Sequence, residues 1–248
     1  MQQGSSTRRR HRGYVALLLN CLALMGCLML PQNLSEVVSV GYLVLPFVLL
    51  SSLGRPIEAG RFSKLKTTAY RLLTLITLLI SVVWFFAPTL FQRSSGLPVL
   101  LLWSPLALWS CERLIRNLAL ERWINREVLL GALAGYLLLG LAAGLLFSAL
   151  EILVPGSFGS TADLKGALSN AALTSNNPGA QQGVFVALNY FAFITLTTTG
   201  YGDIHPVTPQ AQMLCVFLAI SGTTYLALVM GLLISRYTAR DLGDELEP

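Results

Sequence analysis

The residues with chemistry to offer are gathered in one polar run, TLTTTGYGDIHP, Thr195 to Pro206, set between two strongly apolar segments. Elsewhere the chain carries little that could act on a substrate. It has only two histidines, His11 and His205, and neither an HExxH pattern nor a nucleophile elbow occurs. What the run offers is oxygen. A threonine–glycine strand presents successive carbonyl oxygens, and glycine adopts the left-handed backbone needed to turn its carbonyl the same way as its neighbours'. The hydroxyl of Thr198 adds one more oxygen. A cage of this kind replaces the hydration shell of a hard monovalent cation.

The rest of the chain must position that run in a membrane. Of its 248 residues, 54% are hydrophobic and only 12% charged, with a mean hydropathy of +0.64. A soluble domain carries about 25% charged residues. The apolar runs are Tyr14–Leu30, Val37–Leu50, Leu72–Phe91, Leu97–Trp109, Val128–Val154 and Met213–Ile234. Within the first run LMGC, Leu24–Cys27, resembles a lipoprotein cleavage box behind a basic stretch; a first membrane helix with a chance cysteine is the simpler reading. The segment Val184–Leu196 is apolar too, but at 13 residues it is too short to span. The net charge of +5 does not point to nucleic acid. The basic residues instead mark topology. Arg8, Arg9, Arg10 and Arg12 precede the first run, Arg55 to Arg71 hold five basic residues between the second and third, and Arg113, Arg116, Arg122 and Arg126 separate the fourth from the fifth. Alternate loops carry only Arg93. By the positive-inside rule both termini are cytoplasmic and six helices span. Residues 155–183, rich in Gly, Ser, Asn and Ala, read as an irregular outer loop. Asn33-Leu34-Ser35 is a sequon on the same side, relevant only in a eukaryotic secretory host.

Backbone at membrane depth is tolerated only where protein buries it or water bathes it. A short apolar helix, then TTTGYGD, then a full span therefore reads as a re-entrant segment lining an aqueous path. The helix enters from outside, so its C-terminal end, with partial negative charge, lies deep in the membrane and favours a cation.

At this point the sequence resembles a known family. TTTGYGD looks like the selectivity filter of potassium channels, T-x-G-Y-G followed by Asp. LNYFAFITLTTTGYGDIHPVTP resembles the pore helix, filter and outer mouth of their two-helix pore module, which would cover about residues 128–240. The resemblance implies an all-α membrane protein with six transmembrane helices, a re-entrant pore helix and filter between helices 5 and 6, and a homotetramer, because one filter per chain cannot close an ion cage. It implies a filter of Thr198, Thr199, Gly200, Tyr201 and Gly202, with K+ held by Thr198 through Tyr201, and Thr197, Asp203, Tyr190 and Phe191 as support and outer mouth. Tyr190 would hydrogen-bond Asp203, and Tyr190 or Phe191 would brace Tyr201. Thr199 departs from the usual Val or Ile but stays β-branched. Ile194 stands where some members have a glutamate behind the filter. Gly222 resembles the gating-hinge glycine of the inner helix, with close helix packing as the competing reading. Gly231, Thr223 and Met230 are further candidates at the inner crossing and cavity. His205 at the outer mouth would give a modest external pH sensitivity.

The expected organisation is a basic cytoplasmic N-terminus, irregular in conformation, over 1–13; four spans over 14–110; an amphipathic interfacial linker over 111–127; a pore domain over 128–237; and a short tail over 238–248. The fourth span lacks the arginines of a voltage sensor, and the span interiors lack buried ionisable residues. The function implied is passive K+ conduction, with K+ as the permeant ion and no cofactor, no enzyme activity and no nucleic-acid partner. The alternative is a non-conducting subunit that keeps the pore fold for assembly. The host membrane, by analogy, is the plasma membrane of a prokaryote.

Overall fold

In the computed structural model the described residues are 2–29, 35–54, 61–86, 97–121, 125–161 and 178–246. Among these described residues five helices come first: α1 Gln2–Leu28, α2 Ser35–Leu53, α3 Arg61–Phe86, α4 Leu97–Ala119 and α5 Arg126–Leu153. A strand β1, Phe158–Ser160, precedes α6, Pro178–Leu196. After the polar run come β2, Ile204–Pro206, and a long final helix in three parts: α7 Pro209–Thr224, a π-helical turn Tyr225–Met230, and α8 Gly231–Leu246. Among the described residues, four helical stretches are long and apolar enough to cross a membrane: His11–Leu28, Leu65–Val83, Arg126–Leu153 and Pro209–Ala239. Val44–Leu53 and Gln182–Leu196 are shorter apolar helices.

The packing follows the apolar stripes. Tyr14, Leu17, Cys21 and Leu24 recur every three or four residues on α1 and are fully buried. They meet α2 on one side and α5 on the other; α2 packs on α3, α3 on α4, and α4 returns to α5, closing a ring. The α3–α4 seam is polar. Tyr70 and Ser110 share a hydrogen bond of 2.9 Å, and Trp103 Nε1 donates to Ser81 at 3.0 Å. Thr74, Thr77 and Ser81 each donate to the carbonyl four residues back, so buried hydroxyls are satisfied within their own helix. At one end of this seam Arg113 donates to the Leu53 carbonyl at 2.7 Å and to Thr67 at 3.0 Å, and its guanidinium sits 4.8 Å from the centre of the Tyr70 ring. Arg71 donates to the Gly54 carbonyl at 2.7 Å. Both arginines thus cap the C-terminal, partially negative end of α2.

Three expectations are corrected. The basic start is helical: residues 2–13 continue α1, because extending a helix already nucleated by an apolar run costs little. The stretch expected as a separate interfacial helix over 111–127 is instead the end of α4, broken before α5. Leu114 and Leu118 are fully buried in the ring, and Asn125 caps the new helix, its side chain accepting from Val128 N at 3.1 Å. Thirdly, the chain is not purely helical, since β1 and β2 pair antiparallel, Gly159 opposite His205. Residues 33 and 34 of the sequon, 122–124 of the linker and 162–177 of the outer loop lie outside the described residues.

Candidate functional site

The polar run is positioned by α6, and α6 by glycines of α5. Gly140 faces the Phe193 ring and Gly144 faces Asn189, and in each case a Cβ would overlap the α6 side chain. Two small residues four apart on α5 therefore receive two large ones four apart on α6. The end of α6 is fixed by α5 and α7 together. Tyr136 of α5 donates to the Leu196 carbonyl at 3.3 Å, and Gly222 of α7 lies so close to that oxygen that no side chain would fit.

Past Leu196 the backbone changes character. Thr197 N makes the last helical bond, to Phe193 O at 2.9 Å. Then φ is positive at Thr198 (58°), Gly200 (54°) and Gly202 (83°), with Thr199 and Tyr201 between them on the ordinary side. Alternating left- and right-handed residues turn successive N–H groups to one side. Two of them converge: Thr199 N and Gly200 N both donate to Ile194 O, at 2.9 and 3.2 Å. The carbonyls must then face the other way. Among the described residues those of Thr198, Thr199, Gly200 and Tyr201 accept no hydrogen bond from the chain. Thr198 is the strained member. A β-branched residue at positive φ is an outlier, costing about 1–2 kcal/mol.

The threonine hydroxyls find partners within the chain. Thr197 donates to Phe193 O at 2.8 Å, the Thr197 and Thr199 hydroxyls are 2.9 Å apart, and Thr198 donates to Thr197 O at 2.7 Å. The structure brings Tyr190 and Asp203 together, the phenol donating to Oδ2 at 2.8 Å while Oδ1 accepts from Ile204 N at 3.0 Å. It does not bring Phe191 to Tyr201. Phe191 is buried against Phe147 and Phe158, with ring centres 5.4 and 5.6 Å away, and Tyr201 is 72% exposed on the single chain. His205 is exposed on β2 beside Gly159.

Gly222 is held rather than free, packed on the end of α6, and the irregular part of the inner helix lies three residues later. There Gly231 N reaches back five residues to Leu226 O, and Tyr225 donates across to Ala132 O at 2.6 Å, its hydroxyl seated against Gly135. At Gly231 a Cβ would meet nothing closer than Leu226 O at 3.9 Å. Thr223 is exposed and Met230 half-buried. Beyond the turn, Arg236 of α8 donates to the Glu121 carbonyl at 3.0 Å, which ties the last helix to the α4–α5 connection.

One residue was missed by the sequence reading, which held the spans free of buried ionisable groups. Glu151, at the end of α5, is fully buried. Its two oxygens accept from Gly156 N at 2.8 Å and Phe158 N at 3.0 Å. That turn starts β1, which holds β2, while Thr161 N donates to Asp203 O at 2.9 Å. Glu151 thus builds the frame around Asp203. Its signal was legible: a lone carboxylate ending a long apolar run is a functional position by default. Glu151→Ala is expected to lower stability by about 2–4 kcal/mol, since two buried amides lose a charged acceptor. Glu151→Gln, with one oxygen retained, should lose roughly half as much; thermal unfolding of the purified protein in detergent measures both.

No solved structure matches the chain. The match to known proteins falls on the stretch just described. Residues 157–239, from the turn before β1 through the Thr–Gly strand to the inner helix, match the family model described as "Ion channel", which together with the long apolar helices supports a multi-pass membrane protein with an ion-channel function.

Proposed function

We propose that the chain is one subunit of a homotetrameric, potassium-selective channel with six spans and both termini in the cytoplasm, in which α6 and the strand after it form a re-entrant loop. Thr198 through Tyr201 present the oxygens that hold K+, and Gly202 completes the filter. The observation that carries this reading is the alternation of φ at Thr198, Gly200 and Gly202, with the N–H groups of Thr199 and Gly200 gathered on Ile194 O. A strand so built has a carbonyl face with no partner in its own chain, which suits a dehydrated cation. The C-terminal end of α6 adds its partial negative charge nearby. Four copies are needed to surround an ion.

For the flexible point of the inner helix, the π turn Tyr225–Met230 is our choice over Gly222. Such turns leave the regular ladder incomplete and are where helices kink, whereas Gly222 is occupied in packing on Leu196. Arg113 works as a cap on α2, which fits a scaffold around the pore rather than a voltage sensor.

The test is ion flux from liposomes containing the purified full-length protein. K+ flux far above Na+ flux is expected. Equal fluxes overturn the selectivity reading, and no flux at any pH or voltage favours a silent subunit.

A further inference from the structure

The hydroxyls of the threonine run are not interchangeable, and counting their protons shows why. A threonine hydroxyl has one hydrogen to donate. That of Thr197 goes to Phe193 O, 2.8 Å away on the last turn of α6. The Thr197 and Thr199 oxygens are 2.9 Å apart, so the hydrogen between them must come from Thr199. The hydroxyl of Thr198 folds back onto the Thr197 carbonyl at 2.7 Å. Thr197 is therefore a hub, fixed to α6 by its own hydrogen and receiving one from each of the next two residues. The chain of bonds runs one way, Thr199 to Thr197 to Phe193.

We propose that Thr199 is a positioning residue of the ion path. Its hydroxyl, through that of Thr197, ties the strand to α6 and keeps the carbonyl face turned toward the ion when no ion is bound. Backbone bonds alone hold Thr199 and Gly200 only through the shared Ile194 oxygen, at 2.9 and 3.2 Å, so neither amide has that acceptor to itself. The side-chain tether is the second restraint on the residue whose peptide must not rotate. The proposal rests on the reading of Thr198–Gly202 as the ion path.

The experiment withdraws K+ from liposome-reconstituted full-length protein, replaces it with N-methylglucamine, and follows the loss of K+ flux on return, normalised to each variant's own flux before withdrawal. The isosteric Thr199→Val should lose conduction sooner, by roughly 2- to 12-fold, the effect of one neutral hydrogen bond. Thr199→Ser, which keeps the hydroxyl, should behave as the wild type; this rescue separates a hydrogen-bonding role from a packing role. Thr197→Val cuts the tether and leaves the Thr199 hydroxyl unpaired, so it should be the most affected. Adding Thr199→Val to it should cause no further loss. Wild-type persistence in Thr199→Val overturns the proposal, as does an additive double variant. Should the wild type itself pass no K+, the ion-path reading falls and the tether falls with it, an outcome visible before any variant is compared.

Discussion

Gly200→Ala is expected to abolish selective conduction, bringing K+ and Na+ fluxes together, without crowding any neighbour. A Cβ on Gly200 would meet no atom within 4 Å. The penalty is in the backbone, because φ is +54° there and an L-residue in that region costs about 1–2 kcal/mol. One such cost the chain already bears at Thr198. In a proposed tetramer the new cost counts four times, about 4–8 kcal/mol for one filter. The least costly escape is for the peptide to rotate, which removes carbonyls from the ion path. Flux ratios measured in the same liposomes decide the matter: a wild-type ratio in Gly200→Ala would mean that this backbone is not the path.

Gly222→Ala separates two accounts of the inner helix. Under a hinge account the substitution stabilises the protein, since alanine is favoured over glycine inside a helix by about 1 kcal/mol. The packing seen here gives the opposite sign. The added methyl would run into the Leu196 carbonyl oxygen, which belongs to a helix end held from the other side by Tyr136. Overpacking of that kind costs about 1–3 kcal/mol. A net loss of up to about 2 kcal/mol is therefore expected, seen as a lower midpoint of thermal unfolding. Because Leu196 immediately precedes Thr197, K+ selectivity should weaken as well. A raised midpoint with intact selectivity would return the hinge to Gly222.

Much of the site could be read from the chain because its chemistry is local. The Thr–Gly order of residues 197–202 dictates where positive φ is tolerated, with the exception of Thr198, whose left-handed backbone no propensity would suggest. The helix before it was visible as an apolar run, although it starts earlier, at Pro178, than apolarity alone indicated. The frame around the site was harder. Gly140 and Gly144 have the spacing of a helix contact, but only the fold says that Phe193 and Asn189 are what they receive. The pairing of β1 with β2 joins residues more than forty apart through three-residue strands, too short to carry a pattern. Residues 112–119 misled for a different reason. An amphipathic helix looks the same whether its apolar face meets lipid or protein, and here Leu114 and Leu118 meet protein.

The β1–β2 staple makes the segment it encloses modular. Thr161 and Asp203 are joined by a backbone bond of 2.9 Å, and Val207 N is held by Ser157 O at 2.8 Å. The entry and exit of the excursion are thus fastened to each other and, through Glu151, to α5. The seat of α6 is fixed separately, by Gly140 and Gly144. The number of residues between Thr161 and Pro178 is then decoupled from the geometry of the proposed ion path. Doubling a flexible connection costs only about 0.6 kcal/mol, so a peptide, tag or binding module inserted between Thr161 and Pro178 is expected to leave the proposed filter's spacing unchanged.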